Sequence, residues 1–304
     1  MADPIVNVVT GAFSFSGACI ASRLLDMGEE VRTLTGHLDR PSGFCERVQA
    51  YPFNFDNPAQ LVESLIGADT LYSTYWIRFA HGGLTFAKAV ENSKILMKAA
   101  EDAGVRRIVH VSITNPSLDS PLPYFKGKAE VEKAITESKL SHAILRPAVL
   151  FGDQGILINN IAWFLRRLPV FAIPGSGEYG LQPIYVEDLA DMAAEWGHRS
   201  ENTVLDAVGP DAPTFNELVR WIADVVGSKT IVVHVPGSMA LLGTRLLGRI
   251  VGDVVLTPDE VKGLEANLLL SKGEPTAGTS LREWIMANAS WLGARYFSEV
   301  RKHF

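Results

Sequence analysis

Six short runs rich in apolar, aromatic and β-branched residues alternate with stretches of helical periodicity through the first half of the chain. Such runs are typical of strands buried on both faces, and intervening helices indicate parallel connections between them. The predicted strands are 5–9, 31–34, 48–53, 70–75, 108–111 and 142–145. The chain is therefore predicted to be an α/β protein with a doubly wound parallel (Rossmann) sheet, whose ligand lies beyond the carboxyl ends of the strands.

A glycine-containing turn joins the first strand to the first helical stretch, with the pattern T-G-x-x-S-x-x-G from Thr10 to Gly17. Such a turn lets the backbone approach a pyrophosphate, and the following helix N-terminus supplies N–H groups. Ser14 stands where the usual fingerprint has a middle glycine, and its hydroxyl could itself donate to a phosphate. The alternative is a simple β–turn–α corner. The predicted cofactor contacts here are Gly11, Phe13, Ser14, Phe15 and Gly17.

The end of the second strand carries no acidic residue that could bind the ribose hydroxyls of NAD. The sequence there reads Thr35-Gly36-His37-Leu38-Asp39-Arg40. Neutral and basic groups suit a 2′-phosphate, so NADP is predicted in preference to NAD, with Thr35, His37 and Arg40 as contacts. The alternative is that His37 and Arg40 are solvated loop residues.

A second group of polar side chains follows the fifth strand. Tyr124 and Lys128 are four residues apart on a predicted helix that begins near Pro121, so they share one helix face. Thr114 lies just past the strand end. The ammonium group stabilises phenolate, which makes the tyrosine usable as an acid or base near neutral pH. Tyr-x-x-x-Lys also occurs by chance on helix surfaces, and this alternative stays open.

The composition narrows the functional class. The net charge of −6 argues against non-specific nucleic-acid binding. Two cysteines provide neither a disulfide framework nor a metal-ligand spacing, so no metal is predicted and a reducing compartment is expected. Met1-Ala2-Asp3 leads directly into a strand, which leaves no room for a signal peptide, and no apolar run is long enough to span a bilayer. These features predict a cytoplasmic protein.

The pattern is less regular after Gly152. We predict a nucleotide domain over 1–152 and a smaller cap over 153–304, partly interleaved because 180–208 returns to the first domain. Tryptophans near the end are expected to be core or dimer contacts, so a homodimer is one expectation. The elements predicted in this half are helices at 157–167, 187–196 and 281–304, and strands at 180–186 and 204–208.

These motifs together resemble the short-chain dehydrogenase/reductase superfamily. The similarity is to its extended and atypical branches, which include NAD-dependent epimerase/dehydratase-like and NmrA-like proteins. It covers residues 5–152 and extends with less detail to Val186-Glu187-Asp188-Leu189-Ala190. The motifs that carry it are the glycine turn, Asn92, the set Thr114, Tyr124 and Lys128, and the segment from Arg146-Pro147 to Gly152.

The resemblance implies a role for each matching position. Tyr124 would be the acid/base, Lys128 would lower its pKa and hold the nicotinamide ribose, and Thr114 would steady the substrate oxygen. The short interval between Thr114 and Tyr124 departs from the family pattern. The remaining cofactor contacts implied are Asn54, Phe55, Thr74, Asn92, Pro147, Ala148 and Val149.

Two functions remain open. The first is an NAD(P)-dependent reductase, epimerase or dehydratase that acts on a small carbonyl or alcohol. The second is a non-catalytic NADPH-binding sensor or assembly subunit, because atypical relatives include NmrA-like regulators and an accessory subunit of respiratory complex I. An open space beside Tyr124 would favour the enzyme, whereas Trp76 or Phe79 in that space would favour the sensor. Further candidates for substrate contacts are Leu150, Phe151, Trp163, His81, Asn115 and Asn160.

Overall fold

The computed structural model describes residues 5–38 and 45–303. The chain divides into two compact units. The first unit runs up to Pro147 and includes Val186–Asp206, and the second comprises Ala148–Tyr185 and the residues from Ala207 onwards. The sequence-based boundary lay at residue 152, with a return at 180–208.

The strands are short, and most of those in the first unit are buried. They are β1 (Val6–Thr10), β2 (Glu30–Thr35), β3 (Val48–Pro52), β4 (Thr70–Ser73), β5 (Arg107–Val111), β6 (Ser141–Pro147), β7 (Leu150–Phe151), β8 (Val170–Pro174), β9 (Ile184–Tyr185), β10 (Thr203–Ala207) and β11 (Ile231–Val235). A 3-10 turn at Cys45–Arg47 precedes β3.

Several helices begin at a Ser or Thr whose side chain caps the helix N-terminus. Thr214 and Thr257, for example, each form a capping box with the glutamate three residues later. The helices are α1 (Phe15–Asp26), α2 (Pro58–Leu65), α3 (Phe86–Asp102), α4 (Pro123–Glu137), α5 (Ile156–Arg167), α6 (Val186–His198), α7 (Phe215–Val225), α8 (Gly237–Val251), α9 (Pro258–Glu265), α10 (Leu281–Ala287) and α11 (Glu299–His303).

One seven-stranded sheet organises the first unit, in the order β10-β6-β5-β4-β1-β2-β3. The predicted doubly wound parallel sheet is confirmed. Val8 on β1 pairs with Arg32 on β2 and Leu71 on β4, which places β1 and β4 side by side at the point where the strand order reverses. Ligands of such sheets bind at this switch point, beyond the carboxyl ends of the strands. A core of aliphatic side chains, including Leu34 and Ile108, packs helices against the sheet.

The second unit has short strands and a separate core. β7 pairs with β9, and β8 pairs with β11. The core gathers aromatic residues such as Phe151 and Trp284 with aliphatic residues from α5 and α7. None of the helices within the described ranges has both the length and the hydropathy needed to cross a bilayer.

Two sequence predictions for the second unit are wrong. The predicted strand at 180–186 shortens to β9, and the predicted helix at 281–304 is interrupted after α10 and resumes only in α11. Gly293 lies in the interruption with φ of +73°, and a Cβ on it would lie 2.5 Å from the carbonyl carbon of Ala162 on α5. This close approach requires glycine and a left-handed backbone, which a continuous helix does not allow.

Candidate functional site

The turn between β1 and α1 combines a left-handed glycine with a close contact between backbone segments. Gly11 has φ of +64°, in the left-handed region. A Cβ on Gly17 would lie 2.2 Å from the Gly11 carbonyl oxygen, so glycine at this position lets α1 start directly against the turn. The first N–H groups of a helix have no partner within the helix and attract anions. These features fit the phosphates of a dinucleotide.

Ser14, which replaces the middle glycine, turns its hydroxyl back into the turn. The hydroxyl donates to the Gly11 carbonyl oxygen at 2.6 Å, and the Ser14 N–H donates to the same oxygen at 2.8 Å. The Ser14 hydroxyl proton, which was predicted to reach a phosphate, is therefore donated within the turn and stabilises its conformation. Phe13 and Phe15 flank Ser14 and are half-buried.

The carboxyl ends of β1 and β4 are tied together by two threonines. Thr74 Oγ1 donates to the Thr10 carbonyl oxygen at 2.5 Å, and Thr10 Oγ1 accepts from the Thr74 N–H at 2.7 Å. At the end of β2, buried Thr35 accepts from the N–H of His37, whose side chain is exposed. Arg40, the other predicted phosphate contact, lies outside the described residues.

Aromatic side chains gather beside the loop that follows β3. Phe55 stacks on Phe53 with ring centroids 4.9 Å apart, and Tyr75 lies 5.1 Å from Phe55. Asn54 has φ of +46°, a left-handed turn that asparagine tolerates. Asn92 on α3 donates from Nδ2 to the Tyr75 hydroxyl at 2.8 Å, so this predicted cofactor contact is engaged within the protein.

Tyr124 and Lys128 lie on one face of α4, as the spacing predicts. Tyr124 is half-buried, whereas Lys128 is only 2% exposed. Thr114 lies at the start of the loop after β5, is fully buried, and donates its N–H to the Pro147 carbonyl oxygen at 3.0 Å. The three predicted catalytic residues therefore all belong to the first unit.

Trp76, from the loop after β4, packs against this face of α4. Its ring lies 5.9 Å from the Tyr124 ring and nearly perpendicular to it, at 88°. Lys128 Nζ lies 4.7 Å from the centre of the indole. Phe86 is a further neighbour, 5.9 Å from Tyr124. Gly127 makes this packing possible, because a Cβ there would lie 2.9 Å from Trp76 Cη2. A glycine inside a helical pattern usually has a packing reason, and this signal was missed.

The Lys128 ammonium is used inside the protein. Nζ donates to the Val111 carbonyl oxygen at 2.8 Å. Burial lowers the pKa of Lys128 to about 7, while the charge of Glu132 acts in the opposite direction. The pKa of His110 is also well below its usual value, mainly because the ring is buried and secondly because Lys128 carries a positive charge nearby. Lys128 is therefore partly neutral at physiological pH and lies within a cation–π contact.

A largely buried ion pair links α4 to β6, and it was not predicted from the sequence. Glu132, one turn beyond Lys128, is 6% exposed and forms an ion pair with Arg146 Nη2 at 2.5 Å. The Ser112 hydroxyl donates to the same carboxylate. The spacing of four residues between Lys128 and Glu132 places both on one face, which was the available signal.

Other predicted contacts lie in the second unit and are engaged there. The Val149 carbonyl oxygen accepts from the Ile184 N–H, and Ala148 is buried. The Asn160 amide exchanges hydrogen bonds with the backbone of Phe297. Phe151 is fully buried in the core of that unit. Each of these residues therefore contributes to the packing or hydrogen bonding of the second unit.

Most of the first unit is similar in sequence to a known protein family. Residues 11–159 match the model of a family described as NAD(P)H-binding. The match is to NAD(P)H-binding proteins and agrees with the resemblance to the short-chain dehydrogenase/reductase superfamily. The resemblance identified from the motifs is confirmed.

Curated relatives include proteins of respiratory and photosynthetic complexes. The chain is 27% identical over 254 residues to "NADH dehydrogenase (ubiquinone) 1 alpha subcomplex subunit 9, mitochondrial" of Arabidopsis thaliana, covering 78% of this chain and 61% of that protein. It is 23% identical to "Photosystem II assembly factor Ycf39" of Cyanidium caldarium, covering 79% and 78%. The chain therefore spans less than two thirds of the length of the first of these relatives.

Among solved structures, the fold resembles a UDP-N-acetylglucosamine 4-epimerase from Methanobrevibacter ruminantium. The TM-score is 0.69 with 18% identity, over 96% of this chain and 98% of that one. At this identity the likeness concerns the fold.

Proposed function

We propose that this chain binds NADP(H) at the carboxyl edge of the first-unit sheet and serves as a non-catalytic sensor or assembly subunit. The observation that carries the proposal is the position of Lys128, whose ammonium is buried beneath Trp76 and donates to the Val111 carbonyl oxygen. A lysine that assists a tyrosine acid must be charged and must reach the ribose and the phenol. Lys128 has its contacts elsewhere.

The binding half of the proposal rests on the β1–α1 turn. The left-handed Gly11 and the tight contact between Gly17 and Gly11 shape a concave backbone at a helix N-terminus. Such a surface holds phosphates through backbone N–H groups, which need no particular side chain. A bound nicotinamide can supply or accept a hydride.

The partner half of the proposal rests on the relatives. One is named as a subunit of NADH dehydrogenase and another as an assembly factor of photosystem II. Both names describe work within a larger assembly. Because a ligand that binds the folded state stabilises it, NADP(H) would make the stability of this domain, as part of such an assembly, depend on the nucleotide.

The competing function is an NAD(P)-dependent oxidoreductase or epimerase that uses Tyr124, Lys128 and Thr114. The specific observation in its favour is that Tyr124 is only half-buried and shares a helix face with Lys128. A movement of Trp76 on cofactor binding would then have to release Lys128 to the ribose.

The two functions are separated by measuring binding and turnover in the same preparation. NADPH binding is followed by calorimetry, and consumption by the absorbance of the reduced nicotinamide with a panel of aldehydes, ketones and sugar nucleotides. We expect saturable binding, no consumption above buffer, and affinity for NADPH within about twofold of wild type in Tyr124→Phe. Consumption that Tyr124→Phe abolishes would show that the chain is an enzyme.

A further inference from the structure

Helix α8 of the second unit presents an apolar stripe to solvent. Met239, Leu242, Leu246 and Ile250 are 59%, 61%, 53% and 80% exposed. Their spacing of three, four and four residues places them on one side of the helix. The opposite side packs inward, with Ala240 and Gly248 buried in a unit where α8 contacts β8 and α9. The stripe is therefore the outer face of a packed helix, about 16 Å long at 1.5 Å per residue.

The charges beside the stripe have a single sign. Arg245 and Arg249 are the charged residues of α8, both are exposed, and the helix contains no Asp or Glu. At 100° per residue, these arginines lie along one border of the stripe. The whole chain has a net charge of −6, so this positive border departs from the average of the molecule.

We propose that the outer face of α8 binds an anionic lipid surface. Exposed aliphatic side chains on a helix, bordered by arginines and without carboxylates, are the features of a helix that lies in the headgroup region of a membrane. The aliphatic stems of arginine can lie along the apolar boundary while their guanidinium groups reach phosphates.

The test is vesicle flotation of the full chain. Vesicles of phosphatidylcholine alone are compared with vesicles that also contain phosphatidylglycerol, at low and high salt. The stripe variant is Leu242→Gln/Leu246→Gln, and the charge variant is Arg245→Gln/Arg249→Gln. The matched control is Met286→Gln, a 52% exposed apolar residue on α10 of the same unit. Circular dichroism of each variant checks that the fold is kept.

We expect wild type and the Met286→Gln control to float with the anionic vesicles. The stripe variant should bind at least about tenfold more weakly, because two side chains no longer insert. The charge variant should lose the preference for anionic vesicles and the dependence on salt.

Three results would overturn the proposal. The first is wild-type protein that does not float with anionic vesicles, and the second is a folded stripe variant that floats as wild type does. The third is a wild type that is dimeric in light scattering and binds no vesicles, with a monomeric stripe variant, which would make this face a contact between two copies of the chain.

Discussion

The β1–α1 turn and the Tyr124–Lys128 face of α4 both belong to the first unit, but different parts of the chain determine their structures. The turn depends on backbone geometry, with φ of +64° at Gly11 and a tight contact at Gly17. The α4 face depends on side chains, and these contact one another: Trp76 covers Lys128 and meets the ring of Tyr124. Under the proposed function, phosphate binding by the turn does not depend on the contacts that Tyr124 and Lys128 make.

Packing and charge explain why the α4 face closes. An exposed ammonium keeps its hydration, whereas burial makes the charged form costly and lowers the pKa of Lys128 to about 7. The indole ring and the Val111 carbonyl oxygen replace only part of that hydration. The motif Tyr-x-x-x-Lys is present, but its lysine is buried and contacts Trp76 and the Val111 carbonyl oxygen.

The largest effect is expected at the turn. Gly17→Ala would place a Cβ 2.2 Å from the Gly11 carbonyl oxygen, so α1 must shift away from the turn. We expect NADPH affinity to fall by about 100-fold or more in calorimetry, since the helix N-terminus no longer meets the phosphates. Gly278→Ala is the matched control, because a Cβ there has no heavy atom within 4 Å. Unchanged affinity in Gly17→Ala would remove the turn from the binding site.

The second effect is a dependence of stability on pH. Lys128 has a folded pKa of about 7 and an unfolded value of 10.5, so between these values only the unfolded chain holds the proton. The free energy of unfolding should therefore rise with pH in this window, by about 2 kcal/mol between pH 7 and 9.

The measurement is urea denaturation of wild type, Lys128→Met and Lys133→Met across that range. Lys128→Met should lack the rise, whereas Lys133→Met, on the exposed side of α4, should retain it. The measurements stay above pH 7 so that titration of His110 does not contribute. Because the pKa of His110 is lowered in the folded protein, that residue makes stability fall only as the pH drops below 6.5. Parallel pH profiles for wild type and Lys128→Met would contradict the burial of the ammonium.

A smaller effect is expected in the choice of cofactor. β2 ends at Thr35, and the described residues that follow it, up to Leu38, include no carboxylate that could repel a 2′-phosphate. A charge-assisted contact contributes about 1.5–3 kcal/mol. We expect calorimetry to show NADPH binding roughly one to two decades tighter than NADH, with Arg40→Ala reducing the difference. Equal affinities would refute the cofactor preference, and a preference that survives Arg40→Ala would assign it to another group.

The sheet could be predicted because its central strands are buried on both faces and therefore appear as continuous apolar runs. Much of the second unit lacks that signal. β7 and β9 are two residues each, too short to show alternation or an apolar run. β11 does contain a β-branched run, Ile231–Val235, and that signal was missed. The break after α10 depends on contact between Gly293 and Ala162, which no local pattern records.

The sequence predicts which candidate residues share a helix face, but it does not predict what those residues contact. Helical spacing places Tyr124 and Lys128 on one face, but the direction of Nζ depends on Trp76, which comes from a distant loop. Asn92 was matched by family resemblance, yet its amide donates to the Tyr75 hydroxyl. Long-range side-chain packing decides such contacts, and sequence spacing does not contain it.

Labelling lysines in the folded protein tests the burial of Lys128 most directly. An amine-selective reagent at a pH of about 8 would meet Lys128 largely as the free amine, so slow modification would report burial and not charge. Peptide mass spectrometry should show Lys128 modified about 100-fold more slowly than exposed Lys133, with the same rate in the presence and absence of NADPH. Rapid modification of Lys128 in the free protein that NADPH suppresses would show that this lysine serves the cofactor, and would contradict the account.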